Sequence, residues 1–348
     1  MPSQYKRIVL NKRPTGDFES DTFRTELATT SNLKPKEGQS LVQCTYLSLD
    51  PAMRGYVRDA RSYLPPVKIG EVMRAMGLGV VVEAGQKSKF RPGDRVIGAW
   101  GMTELAVMKD KDLTRIDVAP GAIPLDYLST LGHSGLTAYF GLTKIGQVKP
   151  GDKLVVSGAA GSVGTVACQY GKIMGAKVYA IAGADDKCRW LEQECGVERA
   201  FNYKSKTWMK EFKEHVGYLD IYFDNVGGEM LDFLLTRLKQ NARIIMCGAI
   251  SAYNFSTKPA RLSAYTNLIS QRALMQGFII LDYVNEYPQA TATLAKALGE
   301  GTIKRKFHIV EGGIEQAPVA LPMLYNGGNT GKLVVKVSED PQPGKSHL

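Results

Sequence analysis

The sequence of 348 residues lacks long hydrophobic runs and an apolar leader. A membrane-spanning helix needs roughly 18 consecutive, largely uncharged apolar residues, and no segment approaches that length, so we expect no membrane association. The segment from Met1 to Asn11 has Lys6 and Arg7 but no apolar core behind them. We therefore expect no signal peptide.

Cysteine and histidine are scarce and scattered. The five cysteines are Cys44, Cys168, Cys188, Cys195 and Cys247. Their odd number and wide spacing argue against a disulfide framework and favour a reducing compartment. The chain has no C-x-x-C pair and its four histidines are far apart, so we expect no metal site.

Clustered positive charge is also nearly absent, although positive charge is in excess. Lys and Arg number 44 against 34 Asp and Glu, which gives a formal net charge of +10. The only compact basic run is Lys304 to Lys306, whereas nucleic-acid-binding surfaces carry clustered Lys and Arg. We expect no nucleic-acid partner and interpret the excess as a basic surface that helps to steer an anionic ligand inward.

What the sequence does contain is a change of rhythm near Leu125. Residues 1–125 carry short β-rich runs between turns, such as Ser40 to Tyr46 and Gly79 to Glu83, which predict a small antiparallel barrel or sandwich. Short apolar strands then alternate with helical stretches, as in Lys177–Ala182 followed by Asp186–Glu194. This alternation predicts an α/β domain with a parallel, doubly wound sheet.

The end of the chain returns to the pattern of its beginning. The last predicted strand, Lys332–Val337, alternates as the strands of the first third do. We therefore predict a discontinuous first domain of residues 1–125 and 300–348, with a second domain of residues 126–299 inserted into it. Further strands of the second domain are predicted at Leu154–Ser157, Ile221–Phe223, Arg243–Cys247 and Phe278–Leu281.

A glycine-rich turn follows the first strand of the second domain. Read as A-x-G-x-x-G, Ala159 opens the tight turn, Gly161 lets the backbone approach a pyrophosphate, and Gly164 lets the helix pack closely on the strand. The N–H groups at the start of the helix then face an anion. Such a turn also serves plain strand–helix packing, but its strand–helix–strand context favours a dinucleotide site.

The residues after the second strand bear on which dinucleotide binds. NAD sites usually carry Asp or Glu at the tip of that strand, whereas this strand ends at Gly183 without a carboxylate. Asp185 and Asp186 follow in the turn, where they serve equally well as helix caps. Lys187 and Arg189 either pair with a 2′-phosphate or are solvated helix charges. The pattern favours NADP(H).

Short motifs over nearly the whole chain resemble one family. They are Leu47–Gly55, Gly135–Tyr139, Ala159–Gly164, Phe201–Lys204, Tyr222–Glu229, Cys247–Ser251, Gln276–Phe278 and Asn329–Lys332. The chain resembles the medium-chain dehydrogenase/reductases, in the zinc-independent group of prostaglandin reductases, leukotriene hydroxydehydrogenases and NADP-dependent alkenal double-bond reductases. The resemblance implies a Rossmann domain, a chaperonin-10-like β-barrel substrate domain and a homodimer.

The resemblance also implies which residues bind the cofactor. The expected contacts come from Gly161, Ser162, Val163, Gly164, Gly183, Lys187, Tyr203, Asn225, Cys247, Gly248, Ala249, Ile250, Ser251, Tyr253, Phe278, Ile279, Ile280 and Asn329. Of these, Lys187 and Tyr203 would contact the 2′-phosphate. Taken singly, each residue also has an ordinary structural interpretation.

Two departures from the family pattern concern the substrate. Relatives often carry Asp-Pro-Tyr-Met-Arg where this chain has Ala52, so Tyr56 or Tyr63 would shape the pocket instead. Many relatives also have a tyrosine, thought to stabilise an enolate, where this chain has Ser270. Besides Ser270 itself, the candidates for that role are Tyr265 and Tyr253.

The implied reaction is NADPH-dependent reduction of the carbon–carbon double bond of an α,β-unsaturated aldehyde or ketone. Hydride would reach the β-carbon, and the enolate oxygen would need a hydrogen-bond donor. His133, just before the Gly135–Tyr139 segment, either faces the substrate or is a structural histidine. Alternatives are a quinone reductase of the same superfamily, a non-catalytic NADPH-binding protein and, more distantly, a zinc alcohol dehydrogenase.

The last three residues bear on location. Ser346-His347-Leu348 is similar to the Ser-Lys-Leu type of peroxisomal address. It is equally read as a chance tail after a Pro- and Gly-containing end. We expect the cytoplasm, with the peroxisome as a second hypothesis.

Overall fold

The structure, a computed structural model, describes residues 3–254 and 261–341, and the C-terminal tripeptide lies outside them. The chain divides into two units. The first contains the residues up to Val118, Ile123–Leu128 and those from Phe307 onward, and the second contains Ala119–Ala122 and Ser129–Lys306. The first unit is thus discontinuous, as the fold prediction required.

The chain contains fifteen strands and eleven α-helices in its described residues. The strands are β1 Gln4–Leu10, β2 Phe23–Thr29, β3 Gln39–Ser48, β4 Gly77–Ala84, β5 Arg95–Gly98, β6 Leu105–Lys109, β7 Leu113–Arg115, β8 Lys153–Ser157, β9 Lys177–Ala182, β10 Arg199–Asn202, β11 Leu219–Asp224, β12 Leu238–Met246, β13 Leu274–Gly277, β14 Phe307–Val310 and β15 Lys332–Lys336. The α-helices are α1 Met53–Tyr56, α2 His133–Phe140, α3 Ser162–Ile173, α4 Asp185–Gln193, α5 Trp208–His215, α6 Gly228–Leu235, α7 Ile250–Tyr253, α8 Asn267–Gln271, α9 Tyr287–Gly299, α10 Gln316–Ala320 and α11 Met323–Asn326. Short 3₁₀ helices span Thr30–Asn32, Asp110–Asp112, Pro124–Leu128, Ala264–Thr266 and Ile280–Glu286, and a π-helical turn spans Gly141–Ile145.

The first unit is built on a mostly antiparallel sheet. Its strand order is β14-β15-β3-β4-β5-β7, with β6 also paired to β3, while β1 and β2 form a separate hairpin. Every pairing except β14–β15 is antiparallel. Strand β3 has neighbours on both sides, so its apolar residues, including Leu47, lie in the core with Val96 and Val335. The C-terminal strand β15 thus completes the sheet that the N-terminal part begins.

The second unit is a doubly wound parallel sheet. Its strand order is β10-β9-β8-β11-β12-β13, and every pairing is parallel. From β8 the chain adds β9 and then β10 on one side. It then returns to the other side of β8, where it adds β11, β12 and β13. In open α/β sheets, ligands bind outside the carboxyl ends of the strands where the order reverses. A cofactor is therefore expected at the carboxyl ends of β8 and β11, where the strand order reverses.

One predicted strand is wrong. The segment Phe278–Leu281 was expected to be a strand, but β13 ends at Gly277, where its partner β12 also ends at Met246. The chain then enters the 3₁₀ helix Ile280–Glu286. Phe278 and Ile280 pack against an apolar cluster on α2 and α9, so the apolar run reflects a partly buried turn rather than another strand.

The cysteines are all reduced, and four of the five are buried. Burial raises the pKa of Cys44, Cys195 and Cys247 to about 12 and that of Cys188 to about 11.

In the described part of the chain, no helix is both long enough and apolar enough to span a membrane.

Candidate active site

The turn between β8 and α3 reverses the chain at a glycine. Gly158 has a φ of +57°, in the left-handed region that favours glycine. We expected Ala159 to open this turn. The structure instead begins the turn one residue earlier, at Gly158. Ala159 is fully buried, and its N–H donates to the Ile181 carbonyl of β9.

The two later glycines of the turn have different surroundings. A Cβ on Gly164 would lie 2.3 Å from the Gly158 oxygen and 2.7 Å from the Ala159 Cα, so packing of the helix against the turn requires glycine there. A Cβ on Gly161 would meet only the Gly158 oxygen, at 3.2 Å. That contact is tight, but no other described atom lies within 4 Å on the side of Gly161 that a side chain would occupy.

The start of α3 also has the chemistry of an anion site. Gly161 is the N-cap, no side chain caps the helix, and its first turn carries no acidic residue. The first N–H groups of a helix lack internal partners and carry partial positive charge. Together with the open face of Gly161, these groups fit a pyrophosphate.

The tips of β9 and β10 form a positively charged corner. A Cβ on Gly183 would lie 2.9 Å from Cε1 of Tyr203, so the tyrosine ring lies directly against this glycine. The Tyr203 side chain stays 42% exposed. Burial lowers the pKa of Lys187, while the nearby Asp186 raises it and the nearby Lys204 lowers it, so one acidic and one basic neighbour act on this ammonium group. Tyr203 thus lies against Gly183, and Lys204, which sequence reasoning missed although it directly follows Tyr203, is a second cation near Lys187.

The two aspartates after β9 do not cap α4. The N-cap is Ala184 and makes no side-chain capping bond, while Asp185 and Asp186 lie in the first helical turn. The Asp185 Oδ1 accepts a hydrogen bond of 2.7 Å from Nδ2 of Asn202, the last residue of β10. Arg189 is exposed further along the helix.

Asn225 joins the carboxyl ends of β8 and β11. Its backbone N–H donates to Ser157 Oγ at 3.0 Å, and its Nδ2 donates to the Ser157 carbonyl at 2.7 Å. This double contact fixes Asn225 at the point where the strand order reverses. The structure thus places one predicted cofactor residue at the expected crevice.

Beneath Asn225 lies Asp224, which sequence reasoning missed. Its Oδ1 accepts hydrogen bonds from Ser157 Oγ (3.0 Å), Tyr222 OH (2.7 Å) and the N–H groups of Val226 and Gly227 (2.9 Å each). The residue is fully buried, and its Oδ2 has no hydrogen-bond partner in the described structure. Burial raises the pKa of Asp224. The signal in the sequence was a carboxylate at the end of the strand, directly after the apolar run Ile221–Phe223.

The segment after β12 folds onto the turn after β11. The N–H groups of Cys247 and Gly248 donate to the Asp224 carbonyl at 2.9 and 3.0 Å, and those of Ile250 and Ser251 donate to carbonyls of the Asn225–Val226 turn. The Tyr253 hydroxyl accepts a hydrogen bond of 3.1 Å from the Ala249 N–H. The predicted cofactor residues from Cys247 to Tyr253 therefore form one loop with Asn225.

The three candidates for the enolate-stabilising group lie in different places. Tyr253 belongs to the loop just described. Tyr265 lies on the short helix Ala264–Thr266, with 56% of its surface exposed. Ser270 lies on α8, where its hydroxyl donates to the Asn267 carbonyl at 3.3 Å. Of the three, Tyr253 is the one held at the carboxyl ends of the strands.

Other predicted residues of the second unit surround α2. Phe278 packs against the π-helical turn, since a Cβ on Gly141 would lie 3.0 Å from its Cζ. Ile280 contacts the same cluster, and Ile279, between them, is partly buried. His133 begins α2 with an exposed side chain, and its carbonyl accepts a hydrogen bond from Thr137 Oγ1 at 2.7 Å.

Two predicted residues of the first unit, Tyr56 and Tyr63, lie close together. Burial raises the pKa of Tyr56, with further contributions from Tyr63 and Asp50, and the Arg74 guanidinium lies 5.0 Å from the centroid of the Tyr56 ring. Asn329 Nδ2 donates to the Gly331 carbonyl at 3.0 Å. Tyr56 and Tyr63 are therefore neighbours, as a shared role in a pocket would require.

No metal site accompanies these residues. Across residues 3–254 and 261–341, no group of three or more His, Cys, Asp or Glu side chains is arranged to hold a metal ion.

Comparison with known proteins places the chain in a family. The family model described as the N-terminal domain of oxidoreductase matches residues 6–116, and the one described as zinc-binding dehydrogenase matches residues 162–296. The chain is 38% identical to a putative NADP-dependent oxidoreductase, YfmJ, of Bacillus subtilis, over 97% of this chain and 99% of the relative. It is 33% identical to an NADP(+)-dependent 2-alkenal reductase of Nicotiana tabacum, over 96% and 98%.

A solved structure gives the same result. CurA from Vibrio vulnificus, in complex with NADPH, is 36% identical with a TM-score of 0.89, over 96% of this chain and 99% of that one. The sequence motifs, the doubly wound sheet and the relatives agree. The chain belongs to the medium-chain dehydrogenase/reductase family, in its zinc-independent group of prostaglandin and alkenal double-bond reductases.

Proposed function

We propose that the protein reduces the carbon–carbon double bond of α,β-unsaturated aldehydes or ketones. It is an NADP(H)-dependent oxidoreductase, and when bound the cofactor supplies the hydride. The observation that carries the cofactor assignment is the corner of Lys187, Tyr203 and Lys204 beside Gly183. The activity in the name of the tobacco relative supports the substrate class.

The second unit provides most of the proposed cofactor site. The open face of Gly161 and the N–H groups through Gly164 would hold the pyrophosphate, and the positively charged corner would hold the 2′-phosphate. Asn225, the Cys247–Tyr253 loop and Phe278–Ile280 would line the remainder. Asn329, a further predicted cofactor contact, belongs to the first unit.

The protein's catalytic task would be to stabilise charge on the substrate oxygen. As hydride reaches the β-carbon, negative charge builds on the carbonyl oxygen, and a hydrogen-bond donor placed there lowers the barrier. We favour the Tyr253 hydroxyl, because the strand-end loop holds it in place, over Tyr265 and Ser270. Tyr56 and Tyr63 would shape the substrate pocket, with His133 as a further candidate.

Substrate turnover tests this function directly. The purified protein should oxidise NADPH in the presence of simple enals and enones, with mass spectrometry showing the saturated aldehyde or ketone as product. Turnover of quinones without any turnover of enals or enones would instead identify a quinone reductase. Saturable NADPH binding without turnover of either class would identify a binding protein.

The charged corner gives a sharper prediction. Lys187→Ala should weaken NADPH binding about 10–100-fold, because a charge-assisted contact to phosphate contributes roughly 1.5–3 kcal/mol. NADH, which has no 2′-phosphate, should bind the variant as it binds the wild type. Quenching of protein fluorescence on titration with each cofactor measures both dissociation constants.

Arg189→Ala is the matched control for Lys187→Ala. It removes a cation two residues along the same helix, from an exposed position. NADPH affinity should stay within about twofold, as is usual for an exposed surface charge. Equal losses in the two variants, or an equal loss of NADH binding by Lys187→Ala, would contradict the assignment of the corner.

A second copy of the chain is the proposed partner besides the substrate. Strand β13 ends the six-stranded sheet, and exposed apolar residues lie on and near it, with Leu274 51% and Ile269 77% exposed. An uncovered apolar edge strand is a ready pairing surface. Sedimentation equilibrium should show a dimer in wild type and a monomer in Leu274→Lys; a monomeric wild type would contradict the proposal.

A further inference from the structure

We infer that Asn202 sets the preference for NADPH over NADH by holding the Asp185 carboxylate. The inference deepens the proposed cofactor site and rests on it. Dinucleotide sites that select NADH place a carboxylate after the second strand to accept the ribose hydroxyls. This chain has such a carboxylate, and the structure shows it engaged by another side chain.

Asp185 is the first carboxylate after β9. It lies in the first turn of α4, two residues from Gly183, against which the ring of Tyr203 rests. Its side chain is exposed, so without a tether it could rotate toward a ribose at the tip of β9. Its Oδ1 instead accepts the 2.7 Å hydrogen bond from Asn202.

Both ends of the Asn202 amide are used. Nδ2 donates to Asp185, while Oδ1 accepts a 3.0 Å hydrogen bond from the Lys204 N–H. Because one partner is an obligatory donor and the other an acceptor, the amide has one orientation. Asparagine can make both hydrogen bonds, to Asp185 and from the Lys204 N–H. Aspartate would repel Asp185, and alanine would make neither bond.

The tether matters because of what surrounds it. The same few residues carry the ammonium groups of Lys187 and Lys204, which suit a 2′-phosphate. A carboxylate free to enter that corner would repel a phosphate and attract a ribose hydroxyl. Held by Asn202, Asp185 is kept out of that corner, and Asp186 is the other carboxylate that acts on Lys187. The Asn202–Asp185 pair is thus a specificity element formed by the last residue of β10 and the first turn of α4.

Cofactor binding to Asn202→Ala tests the inference without any substrate. Isothermal titration should show NADH binding about tenfold tighter and NADPH binding about tenfold weaker than in wild type, the size expected for one hydrogen bond to a charged group. The double variant Asn202→Ala/Asp185→Asn should lose the gain in NADH affinity. Ser205→Ala, in the loop just after β10, should leave both affinities unchanged.

The outcomes separate this inference from the proposed function. A wild type that prefers NADPH, with Asn202→Ala lowering both affinities by one factor, would overturn the role of Asn202 alone. The same conclusion follows if the double variant keeps the gain in NADH affinity. A wild type that binds both cofactors equally would overturn the phosphate corner and this inference together. Should Asn202→Ala not fold, Asn202→Ser, too short to reach Asp185, is expected to give the same shift.

Discussion

Asp224→Ala should destabilise the second unit by about 3–5 kcal/mol, because several buried hydrogen bonds to one carboxylate are lost together. Four donors lose their acceptor in a site closed to solvent: Ser157 Oγ, Tyr222 OH and two backbone N–H groups. Each unsatisfied buried donor costs roughly 1–3 kcal/mol, partly offset because the buried carboxylate itself is removed. Calorimetry should show the unfolding transition of this unit lowered by roughly 6–20 °C.

Asp220→Ala provides the comparison on the same strand. Asp220 lies near the other end of β11, where its Oδ2 accepts hydrogen bonds from the Lys153 N–H and Lys239 Nζ with 22% of its side chain exposed. Water can replace the lost acceptor there, so we expect a loss of about 1 kcal/mol. If the two variants unfold at the same temperature, the four-donor network is not what stabilises the strand ends.

Gly161→Ala and Gly164→Ala should fail in opposite ways. The Cβ at residue 164 would stand 2.3 Å from a backbone oxygen, so α3 must shift and stability should fall by about 1–3 kcal/mol. At residue 161 the backbone conformation, with φ of −84° and ψ of 173°, is open to alanine. Its methyl group would project into the side where we place the pyrophosphate. Gly161→Ala should therefore fold with only a small loss of stability, from its 3.2 Å contact with the Gly158 oxygen, yet bind NADPH about a hundredfold more weakly.

The two measurements must be made on both variants. Thermal unfolding reports packing, and fluorescence titration with NADPH reports the cofactor site. A Gly161→Ala protein that binds NADPH normally would exclude the pyrophosphate from this face of the turn. A Gly164→Ala protein of unchanged stability would show that the turn can move away from the helix without cost.

The sequence predicted the order of strands and helices better than the side-chain contacts that join them. Lys177–Ala182 was predicted with the bounds that the structure shows for β9, because a buried parallel strand is a continuous apolar run ended by turn residues. The same rule misled at Phe278, since apolar residues in a turn packed on α2 look identical in sequence. Periodicity records burial, and burial does not distinguish a strand from a packed turn.

The candidate site shows the same division. The residues around Gly161 and Lys187 could be predicted because each motif is a continuous stretch of the sequence. The contacts Asn202–Asp185 and Ser157–Asp224 join residues 17 and 67 positions apart. The first depends on the packing of α4 beside β10 and the second on the register of β8 against β11, neither of which is evident from one sequence. Lys204 lay one residue from a predicted contact and was missed because a lone lysine carries no signal.

The burial of the cysteines has a consequence for an enzyme exposed to reactive carbonyl compounds. Enals and enones alkylate cysteine as the thiolate, the nucleophilic form of the residue. A pKa of about 12 at Cys44, Cys195 and Cys247, against an ordinary 9.0, leaves roughly a thousandfold less thiolate at neutral pH. Under the proposed function, Cys44 and Cys195, which are also buried, are expected to be poor targets for alkylation by the enzyme's own substrates.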